Sequence, residues 1–95
     1  MIRLFLLGLA YYLNERYSDA IAILEAAIGR HPQHRSLYVA LAASYGETGR
    51  LDHAKRVAAN LRSLDPFFEV DNFGEAFRDP AERKRIQDGL RKAGL

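Results

Sequence analysis

Residues 4–32 read LFLLGLAYYLNERYSDAIAILEAAIGRHP, and residues 38–66 read YVALAASYGETGRLDHAKRVAANLRSLDP. At a shift of 34 residues, Leu7 falls on Leu41, Gly8 on Ala42, Tyr11 on Tyr45, Arg16 on Arg50, Ala20 on Ala54 and Pro32 on Pro66. Between these anchors the apolar spacing is that of a helix, not the alternation of a strand. Leu4, Leu7, Gly8 and Tyr11 form one stripe, and Ala20, Leu24, Ala27 and Ile28 form a second. Tyr38, Leu41, Ala42 and Tyr45, then Ala54, Ala58 and Leu61, repeat the pair. Gly8 and Ala20 are small where two antiparallel helices approach, and Leu24 fills the space beside them.

Turn chemistry divides the stripes. Asn14-Glu15-Arg16 and Thr48-Gly49-Arg50 separate the two helices of each unit, and Gly49 can supply a positive φ after a helix end. Ser18 and Asp52 stand where a cap or a first-turn polar group belongs. Pro32 and Pro66 follow the second helix of each unit and push the preceding residue out of the helical region. The reading is helices over about 2–14, 17–30, 35–47 and 51–64.

A repeat of this length, small at positions 8 and 20, with Tyr at 11 and Pro at 32, resembles the tetratricopeptide repeat. Leu4 and Leu24, and Ala58 in the second unit, depart from the family's usual aromatics. The expected fold is therefore all-α: two antiparallel helical hairpins of a solenoid, then a short helix and a C-terminal capping helix. One domain spans residues 1–95, with repeats at 1–34 and 35–68 and a capping segment at 69–95.

In that last segment Val70, Phe73 and Phe77 can share one face of a short helix near 69–77. Asp79-Pro80-Ala81-Glu82 has the cap, the first-position proline and the capping-box spacing of a helix start. Ile86, Leu90 and Ala93 line one side, Gly94 marks a stop, and a polar outer side suits the end of a solenoid. The phrases Phe77-Arg78-Asp79-Pro80-Ala81-Glu82-Arg83 and Gly89-Leu90-Arg91-Lys92-Ala93-Gly94-Leu95 are similar to the C-terminal repeat region of bacterial class III adenylate/guanylate cyclase-like proteins. That likeness implies a bacterial regulatory or interaction tail. It transfers no catalytic residue, because 95 residues cannot hold the cyclase domain.

Composition narrows the functions. The chain has no cysteine, which removes disulfides, thiolate ligands and thiol nucleophiles. Fourteen bases against twelve acids leave a formal charge of +2, and acids interrupt the basic run Arg83-Lys84-Arg85, so no nucleic-acid partner is expected. The apolar run at the N-terminus is too short to span a bilayer and no small-residue cleavage site follows it, so a cytoplasmic chain without a membrane partner is expected. His31, His34 and His53 lack the remaining ligands of a zinc site. No serine, histidine and acid fall together as a triad. The expectation is no enzyme, no metal and no cofactor.

What remains is binding. The resemblance assigns ligand contact to positions 2, 5, 6, 9, 12 and 13 of each unit, on the first helix of each hairpin. These are Ile2, Phe5, Leu6, Leu9, Tyr12 and Leu13, then Ser36, Val39, Ala40, Ala43, Gly46 and Glu47. The basic clamp that some relatives use for carboxylate tails is missing from them. The first helix is apolar on nearly every side, a state that calls for cover. The expected face for a protein or peptide partner, or for a homodimer, is Ile2, Phe5, Leu6, Leu9, Tyr12, Leu13, Val39, Ala43 and Glu47.

Overall fold

The computed structural model describes residues 2–73 and 79–95, the side chains of Ile2 and Asn72 excepted. Helices α1 (Ile2–Leu13), α2 (Tyr17–Arg30), α3 (Arg35–Thr48) and α4 (Leu51–Leu64) are followed by a 3-10 turn (Val70–Asn72) and by α5 (Pro80–Lys92). No strand occurs among the described residues. The two hairpins α1–α2 and α3–α4 match the sequence reading closely. The short helix read at 69–77 is instead the single 3-10 turn as far as Phe73, and the rest of that span, with Phe77, lies outside the described residues.

Repetition in the sequence becomes repetition in the turns. After α1 the Arg16 N–H donates to the Tyr11 carbonyl at 2.8 Å and the Glu15 N–H to Tyr12 at 3.0 Å. After α3 the Arg50 N–H donates to Tyr45 at 3.2 Å and the Gly49 N–H to Gly46 at 3.3 Å. Both are Schellman closures, which need a left-handed residue just past the helix. Gly49 supplies it with φ 73°, and in the first hairpin Glu15 adopts φ 61°. Each closure also lays an arginine over a tyrosine ring, Arg16 on Tyr11 at 5.1 Å and Arg50 on Tyr45 at 4.9 Å. This double use explains why tyrosine and arginine recur together in the sequence.

Arg16 and Arg50, which cap α2 and α4, make no side-chain cap bond; Ser18 and Asp52 lie in the first turns. His31 and Asp65, each before a proline, leave the helical region at φ −133° and −141°.

Packing follows the stripes. A Cβ on Gly8 would sit 2.5 Å from Leu24 Cδ2, so glycine is what lets α1 lie against α2. Leu24, Ala20 and Ala27 are buried there. α3 is the centre of the molecule: residues 37–46 are all buried, against α1, α2, α4 and α5. Its one buried polar side chain, Ser44, donates to the Ala40 carbonyl at 2.8 Å.

α5 begins as its sequence indicates. Pro80 is the first helical residue, and the Asp79 carboxylate accepts the Ala81 N–H at 2.9 Å. α5 packs on α3 and lies across the inner face that α1 and α3 share.

Candidate interaction surfaces

The inner face is built from the first helix of each hairpin, and α5 occupies it. Ile86, Leu90 and Ala93 point inward and are buried. α3 and α5 cross glycine to glycine: a Cβ on Gly46 would overlap the Gly89 carbonyl oxygen, and a Cβ on Gly89 would overlap the Tyr12 hydroxyl. Tyr12 and Gly46 hold equivalent places in the two repeats. The tyrosine reaches out from α1 to meet α5, and the glycine clears its path on α3.

Polar contacts frame the crossing. The Tyr12 hydroxyl donates to the Arg85 carbonyl at 2.7 Å, and the Arg85 guanidinium donates to the Leu13 carbonyl at 2.5 Å. Glu47 accepts from Tyr17 at 3.1 Å and from Lys92 at 2.5 Å, tying α2, α3 and α5 at one carboxylate. The Tyr12 and Tyr17 rings meet edge to face, 5.4 Å between centroids. Burial pushes the Tyr12 hydroxyl far above its ordinary range, and Glu47 adds to the effect. Burial and the Glu47 carboxylate also raise Tyr17. The hydrogen bond to Glu47 raises Lys92. On the far side, Gln87 donates to the Phe73 carbonyl at 2.9 Å, and Arg91 pairs with Asp71.

The residues named from the sequence therefore divide. Leu9, Tyr12, Val39 and Ala43 are buried, and Glu47 is half-buried under Lys92. Phe5 and Leu13 are half-buried, and the Ile2 side chain is outside the described residues. Leu6 is 54% exposed, and so is a residue absent from that set, Leu7, at 42%. The apolar spacing sets Leu7 on the hairpin stripe with Leu4, Gly8 and Tyr11, and the structure leaves it exposed. The other exposed large apolar residues among those described are Leu51, Leu64 and Phe67, the last 90% exposed in the loop after α4. Leu6 and Leu7 are the adjacent pair on one helix.

No group of three or more His, Cys, Asp or Glu among the described residues could hold a metal ion. The cleft between α3 and the segment after α4, about 330 Å³, is lined by Arg35 and Asp65, paired at 3.4 Å, and by phenylalanines. No helix among the described residues is long and apolar enough to cross a membrane.

A model of the tetratricopeptide repeat matches residues 11–72, about two thirds of the chain. The chain belongs to the tetratricopeptide repeat family. Neither a curated protein nor a solved structure matches it. Tetratricopeptide repeats generally mediate protein–protein contact and are typically non-catalytic, and this is the class of module that the two hairpins form. The matched span stops before α5, the helix that fills the inner face.

Proposed function

We propose that the chain is a non-catalytic protein–protein interaction module, acting in the cytoplasm, that self-associates through the apolar face of α1. The observation that carries this reading is the pair Leu6 and Leu7, side by side and exposed on a helix that contains no acidic residue. Two neighbouring leucines in solvent are a liability that a protein contact removes. Leu6, with Phe5 at its margin, is the part of the sequence-derived face that stands open. Of the other residues of that face, Tyr12, Ala43 and Glu47 contact α5, and Leu9 and Val39 are buried. The tail's likeness to cyclase-like proteins stays with its sequence phrase alone.

The test is solution mass by size-exclusion chromatography with light scattering over a hundred-fold dilution. A dimer that persists supports the reading. A folded monomer throughout overturns self-association.

A further inference from the structure

α5 is held differently from the helices beneath it. α1 to α4 join one another through Gly8 against Leu24, the Tyr45 hydroxyl on Glu25, and the Tyr45 ring beside His53 at 5.1 Å. None of these contacts involves α5. More than half of the residues of α5 are charged, and Ile86 and Leu90 are its only large apolar side chains. Residues 37–46 of α3, by contrast, are buried without a break. A helix with so little apolar cover opens at a lower free energy than the core it lies on. Its pair with Glu47 runs through Lys92, an exposed side chain that water screens.

The seat under α5 is selective. Its floor is backbone: the Gly89 carbonyl oxygen sits where a Cβ on Gly46 would be. A Cβ on Gly89 would in turn strike the Tyr12 hydroxyl and come within 3.1 Å of the Ala43 Cβ. A helix lies this close only with glycine at the crossing. Ile86, three residues before that glycine, and Leu90, next to it, are both buried. Lys92, three residues after it, meets Glu47 at 2.5 Å.

We infer that α5 is an internal stand-in for a partner's helix. It opens as a unit while both hairpins stay folded, and it yields its seat to a helix of its own pattern. That pattern is a large aliphatic residue, a glycine three positions on, a second aliphatic directly after it, and a base three positions after the glycine. The inference rests on the interaction-module reading above and is independent of self-association, since its site is the inner face and not Leu6 and Leu7.

The probe is a fluorophore-labelled peptide of residues 79–95, read by anisotropy. Ile86→Asp in the full chain unseats its own α5. That variant should bind the peptide at least roughly tenfold more tightly than the parent chain, whose tethered α5 competes. A Gly89→Leu peptide is the better helix former, and should bind the opened variant at least roughly tenfold more weakly than the parent peptide. Hydrogen exchange on the parent chain reads the opening without any substitution: the Ile86 and Leu90 amides should exchange faster than those of Leu41 and Ala42. Equal protection in α5 and α3, or loss of the hairpins' helix content in Ile86→Asp, makes α5 part of the core and overturns the inference. An opened variant that leaves the peptide unbound, or that takes the Gly89→Leu peptide equally well, overturns the seat. Solution mass, which tests self-association, is a separate measurement from all of these.

Discussion

Gly46 and Gly89 meet backbone to backbone where α3 crosses α5, with no room for a methyl group on either. Gly46→Ala or Gly89→Ala would have to push the helices apart, since what each Cβ strikes includes main-chain oxygen. Overpacking of this kind costs about 1–3 kcal/mol. Chemical denaturation should show that loss, with Lys92 drawn away from Glu47.

Gly8 poses a gentler version of the same constraint. Its neighbour is a side chain, Leu24, buried against α1. Gly8→Ala should be destabilising in the parent chain and much less so in a Leu24→Ala background, where the space exists. Leu24→Ala alone should cost about 2–5 kcal/mol. A double-mutant cycle on denaturation midpoints measures the coupling.

Glu15 holds φ 61° where the second hairpin has Gly49. A side chain in the left-handed region costs about 1–2 kcal/mol. Glu15→Gly should therefore raise the melting temperature, and Gly49→Ala should lower it. Thermal unfolding of the two variants gives opposite signs if the closures are as described.

Alkaline pH should loosen the α5 contact. Tyr12 and Tyr17 have folded pKa values above the ordinary 10.0, so folding retains protons that the unfolded chain releases from about pH 10 upward. Lys92 is raised above 10.5 by Glu47, and its stabilisation is complete below that value and lost as the folded group deprotonates. All three signs agree: stability is flat with respect to these groups near neutrality and falls above pH 10. Melting curves from pH 8 to pH 11 test this, and Tyr12→Phe should make the fall shallower.

The hairpins were legible because their determinants are local. The Gly8–Leu24 fit lies within one hairpin, and the prolines and the tyrosine–arginine turns involve residues close in sequence and occur twice. The seat of α5 was not. Ile86, Leu90 and Ala93 announce an amphipathic helix but do not say what it lies on. One signal was present: Gly46 stands where the first repeat has Tyr12, a large-for-small exchange on the same face. That exchange gains meaning only beside Gly89, which is 43 residues away. The open face was half legible for a related reason. The repeat positions set Leu6 on the exposed face, whereas helical spacing sets Leu7 on the stripe with Leu4, Gly8 and Tyr11.

The hydrogen bond from Tyr12 to the Arg85 carbonyl joins positions 73 residues apart. A solenoid ordinarily grows one unit at a time, each needing only its neighbour. Here the first hairpin's inner side stays uncovered until α5 has been synthesised and has swung back over it. Until that closure Tyr12 and Ala43 stand in water, because α5 is what lies over them. Long-range closure also slows the final step of folding relative to a simple stack of the same length.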